Sequence, residues 1–383
     1  MAKKKWYFLL FCMLCMALTM SCGKKQDREE PLADVDISPS LVYDHKMALD
    51  YAEEFAVDYY EGGYVLLTVS EGSRFLVVPE DKEAPEDLDE DIVVLQQPVN
   101  HIYMVATAVM DMFQSLDALD RIRLSGTAAD NWYVEGAKAA MERGDMLYAG
   151  KYNAPDYERI LAENCELAIE NTMISHAPEV REKLESFGIP VVVDYSSYES
   201  HPLGRTEWVK FYGALLGKSE EAEKAFDAQK KVLEEISGEE NTGKTVAFFY
   251  ITTNGAVNVR KSSDYVPQMI ELGGGKYIFQ DLGDDESRSS SVNMQIEEFY
   301  AAAKDADYLI YNSTVDGEIQ TVEQLLGKCG LLKDFKAVRE GNVWCTSSNF
   351  YQASMSLGTF ISDVHQMLLY GKDGSTVYTY PLE

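Results

Sequence analysis

Past residue 53 the chain sets short apolar runs between glycine-bearing breaks. Glu54–Tyr60, Tyr64–Ser70 and Arg74–Pro79 alternate or run apolar and are interrupted by Gly62-Gly63 and Glu71-Gly72, which predicts a small β-meander. Glu80 to Asp91 is acidic, contains Pro85 and predicts a solvated loop, so residues 54–91 form an extension of their own. From 92 to 204 the pattern changes to strand and helix in alternation. Strands are expected at Ile92–Gln96, Arg121–Ser125, Met146–Ala149, Leu167–Glu170 and Pro190–Tyr195. Helices are expected at Tyr103–Leu116, Val134–Arg143, Asp156–Asn164 and Pro178–Phe187, the last with proline in its first turn and Gly188 at its end. Strands joined by helical crossovers imply a mainly parallel sheet covered on both faces.

Residues 205–243 read as helical. Arg205–Leu216 is one helix, Gly217 punctuates it, and a second runs from Ser219 to about Ile236, with Glu220 and Glu221 favourable near its positive end. Alternation resumes over 244–383, with strands at Thr245–Thr252, Tyr308–Tyr311 and Asn342–Cys345. Helices are expected at Tyr265–Leu272 and Ile296–Lys304, with a closing helix at Gln352–Tyr370. The expected fold class is therefore α/β, with two lobes, a helical link and the small N-terminal meander.

The first residues supply an address. Lys3, Lys4 and Lys5 precede an apolar run, Trp6 to Met20, that is shorter than a membrane-spanning helix of about 18 residues or more, the shape of a secretory signal. Leu18-Thr19-Met20-Ser21-Cys22-Gly23 resembles a bacterial lipobox, with Thr19 where leucine is usual. Residues 1–22 are thus expected to be a lipoprotein signal with Cys22 the lipidated residue, and 23–53 a flexible leader, polar and without an apolar period up to Ser40. The localisation this implies is extracytoplasmic, held to the membrane through the N-terminal lipid.

The formal charge is -30, so a basic footprint for nucleic acid is absent. Beyond the signal and Cys22 remain Cys165, Cys329 and Cys345, which is no disulfide framework; a Cys329–Cys345 bridge and free buried thiols both stay open. There is no G-x-S-x-G elbow, H-E-x-x-H pair or phosphate-binding loop, and the five histidines show no metal-ligand spacing.

Several stretches between residues 92 and 370 resemble the solute-binding proteins of ABC transporters for siderophores, haem and cobalamin. They are Tyr157-Glu158-Arg159-Ile160-Leu161-Ala162 with Glu166-Leu167-Ala168-Ile169; Leu184 to Val191, ending Gly188-Ile189-Pro190-Val191; Met269 to Gly275; Glu297-Glu298-Phe299 with Ala306-Asp307-Tyr308-Leu309-Ile310; and Ala337 to Trp344. Cys165 and Glu166 replace the proline and aspartate of the first motif. The resemblance implies two lobes joined by a long rigid helix, ligand capture between them and delivery to a permease, with no enzymatic activity and no resident cofactor. The implied ligand is an iron complex (siderophore or haem) or a corrinoid. Docking onto ABC permease subunits would fall to Glu158 and Glu297, with Glu298 able to stand in for the latter, and the chain would act as a monomer. A sensor or scavenging receptor of the same fold, and a surface enzyme, remain alternatives.

In open α/β sheets ligands bind beyond the carboxyl ends of strands. That rule selects loops rich in aromatics: Trp132, Tyr133, Tyr152, Tyr195, Tyr198 and Tyr351, with Tyr148 beside one of them. Aromatic walls give rigid contact area and suit a flat or bulky ligand. Arg205, Arg260 and Lys261 are candidate partners for ligand carboxylates. Tyr195, Tyr198, Met173 and His201 are candidate contacts to a metal centre, with His201 the best suited to haem iron.

Overall fold

The computed structural model describes residues 35–236, 238–239, 241–283 and 289–383. The signal, Cys22 and most of the leader lie outside the described residues.

The N-terminal sheet has five strands in the order β1 (Tyr43–Lys46), β2 (Phe55–Tyr60), β3 (Val65–Val69), β4 (Arg74–Val78) and β5 (Ile92–Gln96). The first four are antiparallel neighbours in chain order. Gly62 and Gly63 both take positive φ, 87° and 88°, in the turn from β2 to β3, which a side chain would oppose. Two expectations change here. Ile92–Gln96 does not open the first lobe: it pairs in parallel with β4, Arg74 level with Ile92. Arg74 fixes that register by binding Asp91 (2.8 Å from Nε) and Asp89 (3.0 Å), so the acidic stretch before β5 is pinned at its end. The leader is likewise not loose to residue 53, because β1 adds to the sheet edge and residues 50–54 are strapped down.

The strap is built by two carboxylates. Glu207 accepts the backbone N–H groups of Asp50, Tyr51 and Ala52 at 2.8–2.9 Å. Glu199 accepts those of Glu53 and Glu54 at 2.9 Å, and the indole N–H of Trp208 at 2.9 Å. Glu207 is 0% exposed, and Lys210, 3.3 Å away, balances its charge. A buried carboxylate is tolerated when donors and a countercharge surround it.

The first-lobe sheet is wholly parallel, in the order β12-β11-β6-β7-β8, with β6 (Ile102–Met104), β7 (Ile122–Ser125), β8 (Leu147–Tyr148), β11 (Ala168–Asn171) and β12 (Val191–Asp194). The pieces β9 (Gly150–Lys151) and β10 (Ala154–Pro155) form a separate hairpin. The expected helix Tyr103–Leu116 divides into β6 and a helix over Thr107–Ser115. Ile102 to Ala106 is apolar throughout, which periodicity cannot assign, and its place between β11 and β7 makes it a strand.

The second sheet runs β16-β14-β13-β17-β18-β19. Parallel β13 (Thr245–Ile251), β17 (Tyr308–Tyr311) and β18 (Val343–Thr346) are flanked by antiparallel β14 (Val257–Arg260), β16 (Ser291–Met294) and β19 (Thr379–Pro381); β15 (Lys276–Tyr277) also pairs with β13. β14, β16 and β19 were not foreseen.

The link is a pair of packed helices, Pro202–Leu216 and Ser219–Ile236, rather than one long rod. The first is buried along nearly its whole length and lies against the N-terminal sheet, the helix Thr107–Ser115 and the closing helix Leu357–Tyr370. A helix buried on all sides is a core element. Gly213 permits the pair to approach, since a Cβ there would stand 2.4 Å from the Ala222 methyl, and Gly217 ends the first helix at φ 69°. The segment Ser354–Ser356 then ties the two lobes. Thr206 Oγ1 donates to the Ser354 carbonyl (3.0 Å), Ser354 Oγ to the Ala108 carbonyl (2.6 Å), and Met355 N–H to Asp111 (2.9 Å).

Glu207→Ala leaves three backbone donors without their acceptor and Lys210 with Glu223 alone. It should lower unfolding stability by about 3–5 kcal/mol in urea titration. A loss below about 1 kcal/mol would show that the strap holds nothing.

Candidate functional site between the lobes

β12 delivers the chain to the site. Its last residue, Asp194, is buried and receives Ser196 Oγ (2.5 Å), Ser196 N–H (3.3 Å) and the Tyr212 hydroxyl (2.8 Å), which fixes the turn that follows. Burial raises its carboxyl above the ordinary aspartate range. On that turn Tyr195 and Tyr198 meet edge to face, 5.2 Å between centroids. His201 then caps the central helix: Nδ1 accepts the Leu203 N–H at 3.1 Å, and the ring stacks on Tyr51 at 4.3 Å. Burial pushes its pKa down. With Nδ1 occupied and the ring covered, His201 is a helix cap.

Arg205 follows in the first turn of that helix. Its guanidinium donates to the carbonyls of Ser197 and, at 3.4 Å, Glu199. Its carbon lies 3.6 Å from the centroid of the Tyr265 ring, which belongs to the second lobe. A cation over an aromatic face is attractive, the more so when partly desolvated. Tyr265 opens the helix Tyr265–Leu272, capped by Asp264, which receives the Val266 N–H at 3.0 Å. Arg260 sits 3.7 Å from Asp264 and donates to Ser290 Oγ at 3.2 Å.

Around the Arg205–Tyr265 stack lies a cavity of about 420 Å³. It takes Tyr195, Tyr198 and Arg205 from one side and Ser263, Tyr265 and Ser290 from the other. That volume falls in the range of small-molecule sites. Of the residues anticipated from sequence, the structure brings three to this wall. A second group spans the lobes from positions far apart in the chain: Tyr133 and Tyr351 meet edge-on at 6.2 Å, both well exposed. Gln352 holds them there, accepting the Tyr133 N–H (2.8 Å) and donating to the Asn131 carbonyl (2.9 Å) and the Tyr351 hydroxyl oxygen (2.9 Å).

The remaining candidates are placed elsewhere. Trp132 is a core residue, 3% exposed, its indole N–H donating to Ser125 Oγ at 3.1 Å, because so large an apolar ring packs into the lobe beneath the loop. Tyr148 and Met173 are exposed on the first lobe and Tyr152 is half-buried there. Lys261 is only 5% exposed, with Gly283 lying against its alkyl chain. Arg260 and Lys261 were chosen as residues beyond a strand's carboxyl end. β14 in fact runs back along β13, Val259 opposite Phe249, so Arg260 reaches the cavity through Asp264 and Ser290. Glu158 and Glu297 are both exposed, each in the first turn of a short surface helix, Tyr157–Ala162 and Ile296–Ala303. Sequence reasoning missed Tyr265, although it foresaw the helix that Tyr265 begins, because a helix start was not counted among the cleft loops. Among the described residues no three of His, Cys, Asp and Glu gather as a metal-ligating set, and Cys165, Cys329 and Cys345 are free thiols.

Below the first-lobe rim, Glu170 ends up in the lobe interior near the carboxyl end of β11, 0% exposed and with neither oxygen hydrogen-bonded. Burial pushes its pKa up to about 8.

No family model matches the chain. An uncharacterised lipoprotein of Methanocaldococcus jannaschii is 24% identical over 374 residues, spanning 90% of this chain and 88% of the relative. A second lipoprotein of that organism is 26% identical over 349 residues, 87% of this chain and 86% of the relative. Among solved structures, a periplasmic binding protein of Veillonella parvula superposes with a TM-score of 0.58 at 17% identity, over 77% of this chain and 98% of its own. A periplasmic haem-binding protein of Vibrio cholerae gives 0.57 at 16%, over 71% and 99%. An ABC-type Fe3+-hydroxamate transport structure from Saccharomonospora viridis gives 0.54 at 16%, over 69% and 91%. The chain therefore has the helical-backbone fold of periplasmic solute-binding proteins. It covers those neighbours almost whole and carries further structure of its own.

Glu170 makes stability pH-dependent. A free glutamate ionises near ~4.3, so folding takes up a proton between that value and about 8. Its contribution is full below the lower value and lost as pH rises to the upper one. Glu170→Met should therefore raise the melting temperature over the parent chain much more at about pH 8 than at about pH 4. Equal gains at both would contradict the assignment.

Proposed function

We propose that this chain is the extracytoplasmic, lipid-anchored substrate-binding component of an ABC importer. It captures an iron complex, either a ferric siderophore or haem, or else a corrinoid, between its lobes and presents it to the permease. The observation that carries the reading is the cavity at the Arg205–Tyr265 stack, to which both lobes contribute in a fold shared with iron- and haem-binding proteins. The relatives named as lipoproteins support the anchor at Cys22, and among the described residues no helix is long and apolar enough to cross a membrane.

The roles follow from position. Tyr195, Tyr198 and Tyr265 offer rigid aromatic surface with polar tips, and Arg205 places a fixed cation among them. Tyr133 and Tyr351 form a second aromatic face held by Gln352, while Tyr148, Tyr152 and Met173 stand on the first-lobe side. Arg260 tunes the wall through Asp264. The many hydrogen bonds through Ser354–Ser356 favour a small closure over a wide hinge motion. Glu158 and Glu297, exposed on separate helices, are the docking contacts for basic residues of a permease, and they act on orientation and encounter rate. The chain itself performs no covalent step.

Thermal melting with haemin, cobalamin and ferric siderophores tests the reading. At about a hundred times its dissociation constant, a ligand of the folded state should add roughly 2.7 kcal/mol. Charge reversal at Glu158 and Glu297 should keep that shift and abolish import. A folded sample that responds to none of these ligands contradicts the iron-complex and corrinoid assignment.

A further inference from the structure

The N-terminal sheet precedes the stretches that resemble solute-binding proteins, yet it reaches the ligand cavity. Its turn between β3 and β4 contributes Ser70 and Glu71 to the lining, and Glu54, at the start of β2, lies beside them. The turn is held in place from three directions. Ser70 Oγ donates to Glu54 Oε2. Arg181 of the first lobe stands 3.9 Å from Glu71 and donates to Ser73 Oγ at 3.2 Å. The strap delivers the Glu54 backbone N–H to Glu199 at 2.9 Å.

The chemistry of this wall differs from what Arg205 alone implied. Among the described residues lining the cavity are four carboxylates, Glu54, Glu71, Glu199 and Asp264, against the one guanidinium of Arg205. Arg205 already spends donors on two carbonyls and its face on Tyr265. Glu199 spends both oxygens on the strap and on Trp208, and Asp264 on its helix cap and Arg260. The carboxylates left with an open oxygen among the described residues are those of Glu54 and Glu71: Ser70 engages only Oε2 of the first, and Ser73 and Arg181 only Oε1 of the second. Burial, with the Glu54 charge adding to it, raises the Glu199 carboxyl above its ordinary range, so positive charge at Glu54 would relieve the pair. A wall rich in serine hydroxyls and carboxylates repels a ligand's carboxylates and accepts hydrogen bonds from cationic groups.

We infer that the β3–β4 turn and Glu54 form a third wall of the ligand cavity and select an iron chelate carrying a cationic, hydrogen-bond-donating group. The inference rests on the reading of this cavity as the ligand site, and it separates cationic chelates from haem within that reading.

The full chain in detergent, titrated with ferrioxamine B, tests this. Ferrioxamine B is a ferric hydroxamate with a free ammonium group; its N-acetylated form has nearly the same shape without the charge, and haemin carries carboxylates instead. Ferrioxamine B should bind most tightly. Acetylation should weaken it about tenfold or more, as should Glu54→Gln, with the unliganded melting temperature not lowered. The two losses should not add, because each removes a partner of the same contact. Glu71→Gln should weaken binding in the same direction. Haemin binding more tightly than ferrioxamine B, or losses that add fully, would overturn the third wall and leave ligand capture between the lobes standing. Binding of none of the three would overturn this inference together with the cavity reading.

Discussion

Five successive backbone N–H groups, from Asp50 to Glu54, end in two buried carboxylates, and the arrangement of the molecule depends on that contact. Neither partner could be buried alone. An amide without an acceptor costs about 1–3 kcal/mol, and an uncompensated buried carboxylate more. Together they bind a segment to a helix and the turn before it, more than 140 residues away in sequence. The N-terminal sheet is thereby a fixed part of the structure, and Trp208, Phe211 and Phe55 pack together beneath the strap.

The same helix organises the site. Its N-terminus lies where β12 ends, so the residues that cap it, His201 and its neighbours, also orient Tyr195, Tyr198 and Arg205. Its sides hold both lobes. The cavity is consequently pre-formed by packing around one buried element, with Asp194, Asp264 and Gln352 each fixing a loop through short polar contacts. A site positioned by satisfied hydrogen bonds loses little entropy when a ligand arrives.

What could be read from the chain divides along local and long-range lines. The helices Pro178–Ser186 and Ser219–Ile236 and the strands β12, β13 and β17 were legible because apolar runs and their breaks are local properties. Glu207 was not, since a glutamate inside a helix ordinarily faces water and its partners lie far off in sequence. β5 had the right composition for a strand, but its neighbour is chosen by Arg74 with Asp89 and Asp91. β14 and β16 hid the direction of the chain, and with it the true place of Arg260 and Lys261. Trp132 and Tyr198 look alike in sequence, as aromatics in loops after strands. One is swallowed by the lobe and the other is left at the cavity, a difference set by the space beneath each loop.

The central claim is that one ligand touches both lobes at the Arg205–Tyr265 stack. Amide hydrogen exchange, measured with and without the ferric complex that raises the melting temperature, tests it most directly. The account predicts slower exchange over residues 195–205 and 263–265 together. Protection confined to one lobe, or lying away from both segments, would contradict it.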